Sequence, residues 1–128
     1  MNNEGQRKLV YIASPYAGDI EYNTGMAREY CRYAAEQGVV PVGVHLLFPQ
    51  FMDEHNPAER AWACEMGLEV LARCDEVWVF GSHISSGMAA EIAEAERLGM
   101  DIQYIDSIEA LQEPESMEAP AFGMSMSL

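Results

Sequence analysis

The segment SSGMAAEIAEAERLGM, Ser85 to Met100, reads as a helix that opens on hydroxyls and a glycine and closes on Gly99. At about 100° per residue, Met88, Ile92, Ala95 and Leu98 fall on one side, while Glu94, Glu96 and Arg97 fall outside that arc. Glu91 lands between Ala95 and Leu98, on the stripe that should face the core. A carboxylate there has two readings. Either its stem packs at a helix edge while the head reaches water, or it is desolvated beside a ligand, where it would act as a nucleophile or general base. Tyr11, in the apolar run KLVYIASPY, is core material whose hydroxyl must find a partner, and a carboxylate across a pocket would supply one.

Other chemistry-bearing residues gather in three short segments. These are ASPY (Ala13 to Tyr16, with Ser14, Pro15 and Tyr16), HLLFP (His45 to Pro49) and GSHISSGM (Gly81, Ser82, His83, Ser85, Ser86, Gly87 and Met88). Ser85 or Ser86 can cap the following helix, and the same serines with Gly87 can offer N–H groups and hydroxyls to an anion at the positive end of the helix dipole. His45 and His83 either meet a ligand or hydrogen-bond a loop. Three scattered histidines without histidine–carboxylate spacing give no metal site. Cys74 reads as a packed apolar residue and Asp75 as a turn or capping acid.

The elements that must position these residues alternate. KLVYIASPY is a buried strand running into a loop. TGMAREYCRYAAEQG keeps helical spacing and stops at Gly38, with AGDIEYN before it as a loop. VVPVGVHLLFPQF is a second strand followed by a loop. A helix then starts at NPAER, with Asn56 as cap, Pro57 in the first turn and Glu59 closing a capping box, and runs to about Cys74. DEVWVFG is a third strand, the Glu91 helix follows, DIQYI is a fourth strand and DSIEALQ a short last helix. This alternation predicts a single α/β domain over residues 1–112, with a mainly parallel sheet of four to five strands flanked by helices. From Glu113 to Leu128 the chain reads as a flexible tail. In such a sheet ligands sit beyond the carboxyl ends of the strands, where the strand order reverses, and the three segments above are delivered there.

Composition narrows the ligand. With 128 residues and 49% hydrophobic content the chain suits one core. No apolar run approaches the roughly 18 residues of a membrane span, and the N-terminus has no secretory pattern. Cys31, Cys64 and Cys74 are odd in number and lack paired metal spacing, so a reduced, cytoplasmic protein is expected. A formal net charge of −14 with seven lysines and arginines excludes nucleic-acid polymers. It does not exclude a small anion held by a helix N-terminus and one or two arginines.

YIASPY, CDEVWVFG and SSGMAAEIAEAERLG together resemble the nucleoside 2-deoxyribosyltransferase superfamily, which includes the 2'-deoxynucleoside 5'-phosphate N-hydrolases; the likeness is greatest to a phage and prophage branch. It spans roughly Leu9 to Ile105. The resemblance implies a deoxyribosyltransferase-like fold of the flavodoxin-like, Rossmann-like kind, and Glu91 as the nucleophile that expels a base from its sugar. Gly87 matches the glycine four residues before that glutamate, Tyr11 matches a tyrosine that positions the carboxylate, and Ser85 matches a phosphate-binding serine of the nucleotide hydrolases. It further implies a homodimer or larger homo-oligomer and a reaction without metal or organic cofactor.

One departure stands out. The superfamily carries a further acid eight residues before the strand aspartate, and counting back from Asp75 gives Gly67. Glu65 and Glu69 are each displaced by about 200° around the helix from that position. Two functions are therefore expected. The first is an N-glycosidase, hydrolase or transferase, acting on a nucleotide or nucleoside, with Ser14, Ser85, Ser86 and Gly87 on phosphate or ribose and Tyr16, Phe48 or Trp62 on the base. The second is a protein that captures a nucleotide or nucleotide signal without turnover. A chain that kept the fold and lost the pocket is a third option, and it leaves Glu91 unexplained.

Overall fold

The computed structural model describes residues 5–108. The elements run β1 (Leu9–Ala13), α1 (Ile20–Glu36), β2 (Val40–Val42), α2 (Val44–Leu47), a 3-10 turn (Phe48–Gln50), α3 (Pro57–Ala72), β3 (Glu76–Phe80), α4 (Ser86–Arg97) and β4 (Asp101–Ile105). Most of the expected last helix and the whole expected tail lie outside the described residues.

All pairings are parallel and the sheet order is β2-β1-β3-β4. From β1 the chain moves one way to β2, crosses back to β3 and then moves the other way to β4. The reversal therefore falls between the two central strands, and a crevice opens beyond their carboxyl ends, at Ser14 and Gly81. Both central strands are buried on both faces, which is why VYIA and VWVF read as unbroken apolar runs.

Strand periodicity separates those faces. Tyr11, Ala13, Val77 and Val79 join Leu71 of α3 and Met88 and Ala95 of α4 in one core. Val10, Ile12, Trp78 and Phe80 join Tyr30 and Ala34 of α1 in the other, where the Tyr30 and Phe80 rings stack with centroids 4.5 Å apart. Tyr11 is thus aimed at α3 and α4.

Three boundaries differ from expectation, each through a local polar contact. Helix α1 begins at Ile20, within the segment expected to be a loop, because the Asp19 side chain accepts from Tyr22 N at 3.1 Å. Strand β2 covers only Val40–Val42, and the rest of the segment expected to form the second strand and enter its loop turns helically from Val44 to Gln50. Glu59 does not close a capping box on Asn56. Its Oε1 accepts from Asp53 N at 2.7 Å, tying down the loop before α3, while Asn56 Oδ1 accepts from Ala58 N and Glu59 N.

At the opposite end of the sheet, Asp75 Oδ2 accepts from Leu9 N at 2.8 Å and Asp75 N donates to Leu9 O at 2.7 Å, which sets the start of β1 against β3. Glu76 is buried and accepts from Lys8 Nζ and from Trp78 Nε1. The Lys8 hydrogen bond, then that of Trp78, holds its carboxyl below the usual range. A depressed carboxyl contributes stability above its unfolded pKa and loses it as the pH falls through the folded value. Trp78→Phe should therefore cost about 1–3 kcal/mol at neutral pH by removing a donor from a buried carboxylate, and the deficit should shrink below about pH 4. Urea unfolding at pH 7 and pH 3.5 measures both.

Candidate functional site

A cavity of about 280 Å³ lies over the α3/α4 face at the carboxyl end of β1. Its floor is a buried pair, in which Tyr11 Oη donates to Glu91 Oε2 at 2.6 Å. Tyr11 is fully buried and Glu91 is 8% exposed. The pair joins residues 80 apart in sequence, and the period of each element aims its partner. Tyr11 points to this face because β1 alternates, and Glu91 because it sits one turn before Ala95 on the packed side of α4.

Burial is the largest influence on Glu91 and pushes its carboxyl up to about 7, against the lowering effect of the Tyr11 hydrogen bond. Burial, then the adjacent Glu91 charge, raises the Tyr11 phenol, so it stays protonated and donates. Glu91 Oε1 has no hydrogen-bond partner among the described residues, and neither does Ser14 Oγ, which is 2% exposed. Both residues line the cavity. Buried polar atoms are normally paired, so two orphans on one cavity mark where a ligand would bind.

The entrance to α4 supplies a third polar element. Ser85 is the N-cap, with Oγ accepting from Met88 N at 3.2 Å. That spends the Ser85 hydroxyl as an acceptor and leaves the Ser86 and Gly87 amides as first-turn donors without an intrahelical acceptor. Ser85, Ser86, Gly87 and Met88 all line the cavity. Capping by Ser85 does not close this helix end to an anion.

His45 and Tyr16 form one wall, their rings stacked with centroids 5.1 Å apart. Burial lowers the His45 pKa, partly offset by a hydrogen bond with the Ser14 backbone. Phe48 lines the cavity too, whereas Trp62 is 56% exposed and does not. Pro15, Gly81, Ser82 and His83 also lie outside the lining. Ser82 and His83 are exposed, and Gly81 makes the turn after β3 with φ +97, a left-handed conformation suited to glycine. The turn explains why these residues separate from Ser85: the chain swings outward before α4 begins.

Sequence reasoning from strand ends did not identify the α3 wall, formed by Arg60, Ala63, Cys64, Gly67 and Leu68. Their spacing of three and four, continued by buried Leu71, is the signal that could have found it. Gly67 is buried, and a Cβ placed there would stand 3.4 Å from Tyr11 Oη. The position of the expected acid thus faces the pair but carries no side chain. Glu65 and Glu69 are exposed and off the lining; the carboxylates that do line it besides Glu91 are Glu54 and Glu59. Among the described residues no group of three or more His, Cys, Asp or Glu is placed to hold a metal ion, and no helix is long and apolar enough to cross a membrane.

Residues 8–105 match the family described as Domain of unknown function (DUF7768). The chain belongs to this family. No curated protein matches it. Among solved structures, a 2-deoxyribosyltransferase from the psychrotolerant bacterium Bacillus psychrosaccharolyticus superposes with a TM-score of 0.61 at 15% identity, covering 75% of this chain and 70% of that one. A 2-desoxiribosyltransferase from Leishmania mexicana gives a TM-score of 0.54 at 19% identity, covering 77% of this chain and 64% of that one, so this chain spans less than two thirds of the Leishmania enzyme. The DUF7768 domain of this chain therefore has the deoxyribosyltransferase fold.

The raised Glu91 carboxyl has a consequence for stability. The folded state holds this proton to about pH 7 while the unfolded chain loses it near the model-peptide value of 4.5, so stability declines as the pH rises between those values. Glu91→Gln should match the parent protein near pH 5 and exceed it at pH 8 by about 3 kcal/mol at most. Thermal and chemical unfolding at the two pH values checks it.

Proposed function

We propose that this protein is an N-glycosidase, hydrolase or transferase, acting on a nucleotide or nucleoside. The observation that carries the reading is the unpartnered Glu91 Oε1, on a residue that lines the cavity, while Oε2 is held by Tyr11. A carboxylate oriented by a protonated phenol and stripped of solvent suits attack on an anomeric carbon, with a glycosyl ester then opened by water or a second base. Ser14 and the Ser86 and Gly87 amides would receive a phosphate or sugar hydroxyls. Tyr16, His45 and Phe48 would flank the base. The fold shared with 2-deoxyribosyltransferases supports the same chemistry.

A second reading, capture of a nucleotide without turnover, is favoured by one observation, the bare Gly67 wall beside the pair.

The deciding experiment incubates the protein with a panel of deoxyribo- and ribonucleotides, nucleosides, NAD and cyclic nucleotides, following free base by chromatography and ligand-induced thermal shift together. Base release should fall about 10⁴-fold or more in Glu91→Gln. Thermal stabilisation without base release, retained in Glu91→Gln, would sink the enzyme reading and leave a binding protein.

The nucleophile must be ionised, so kcat/KM should rise with pH and level off above about 7. Tyr11→Phe removes the donor that stabilises the charged form. It should move that limb to higher pH and lower the plateau by about 10- to 100-fold. An unmoved limb would show that another group sets the profile.

A further inference from the structure

We infer, on the basis of the N-glycosidase reading, that the preferred substrate is a nucleotide whose base carries a formal positive charge at the glycosidic linkage, as in a pyridinium or an N7-alkylated purine, and so departs as a neutral molecule without being protonated. Cleaving an ordinary N-glycoside requires the leaving base to take a proton, and a positioned acid supplies about 10²- to 10⁴-fold in rate. Among the described residues, the wall facing this nucleophile carries no carboxyl.

The wall facing Tyr11 is Gly67, where a Cβ would already lie 3.4 Å from the phenol oxygen and 3.8 Å from Val44 Cγ2. Glu65 and Glu69, the neighbouring carboxyls on α3, are exposed and outside the lining. Tyr11 spends its proton on Glu91. Burial lowers the His45 pKa, which disfavours its protonated form. Glu59 is held by Asp53 N and sits eight residues before Gly67 on the same helix, about 12 Å along its axis. Glu54 is in the loop before α3, with its Oε2 3.8 Å from His55 Nε2 and its charge acting on Tyr16. Neither carboxylate is on the wall at Gly67 that faces the pair.

They are well placed to attract a cation. Glu54, Glu59 and Glu91 line the cavity, Arg60 is the single Lys or Arg among the described lining residues, and the chain carries a formal net charge of −14. The Tyr16 and Phe48 rings add faces suited to a cationic heterocycle. Missing side-chain volume at Gly67 gives that heterocycle room beside the nucleophile.

The step balances without a further reactant. Glu91 Oε1 bonds to the anomeric carbon as the carbon–nitrogen bond breaks. The bonding pair moves to the ring nitrogen and cancels its positive charge, releasing a neutral base and leaving a glycosyl ester. Water then attacks the same carbon, the ester bond breaks to restore the Glu91 carboxylate, and the proton of the attacking water passes to solvent.

The test measures kcat/KM of the full chain on matched pairs, corrected for uncatalysed hydrolysis. The pairs are nicotinamide mononucleotide and its dihydro form, NAD and NADH, and 7-methylguanosine and guanosine 5'-monophosphates, each with Glu91→Gln as control. The cationic member should be cleaved at least about 100-fold faster, the scale of a general acid's contribution. Gly67→Asp, confirmed folded by circular dichroism, should narrow that ratio about 10-fold or more by raising turnover of the neutral member. Neutral members cleaved as fast as cationic ones, or an unchanged ratio in folded Gly67→Asp, overturns this inference and leaves the N-glycosidase reading standing. Base release from no member of any pair overturns both.

Discussion

A carboxylate held out of water between a sheet and two helices is the constraint around which this protein is arranged. Glu91 is buried with one oxygen on the Tyr11 phenol and the other without a partner. Desolvating an anion is costly unless it is paired and hydrogen-bonded, and here a single phenol at 2.6 Å offsets only part of the penalty. The rest appears as a carboxyl raised to about 7. Such an arrangement persists only where the surrounding packing is rigid enough to hold it, and the two central strands provide that packing.

The division of labour between the sheet faces follows from strand periodicity. The α1 face is filled by aromatic packing, with Tyr30 on Phe80 and Tyr33 near Trp78 and Phe80. The α3/α4 face carries Tyr11, small alanines and the cavity. A large side chain at position 67 would compete with a ligand for the space over Tyr11, so the glycine that interrupts α3 is tied to the site. Helix α3 gives up some intrinsic propensity to keep that wall open. Its Asn56 cap and the Glu59 contact to Asp53 restore order at its start.

The polar ends of the site come from a different source. Ser14 lies just past β1, while Ser86 and Gly87 open α4, and the strand-order reversal between β1 and β3 brings both to one crevice. Ser14, Ser86 and Gly87 thus line one part of the cavity, while the Tyr11–Glu91 pair forms its floor. Both sets sit on a strand and a helix packed against the same sheet.

The sequence by itself determined the alternation of strands and helices, the parallel sheet and the inward placement of Glu91, because each is written in periodicity, whereas the bare position at Gly67 stood out only through the family resemblance. Leu98 shows the limit of the wheel: it shares the core stripe by angle, yet as the C-cap of α4 it is exposed, since the helix ends before it can pack. The sequence raised a carboxylate partner for Tyr11 and a ligand role for Ser14, and the tertiary structure brought Tyr11 to Glu91 across 80 residues and Ser14 to the same cavity. The tertiary structure also decided that Ser82 and His83, close in sequence to the site, turn away from it. The physical reason is that a residue's face follows from local period, whereas its partner depends on how separate elements pack. That packing also sets where a loop leaves the sheet, as it does at Gly81.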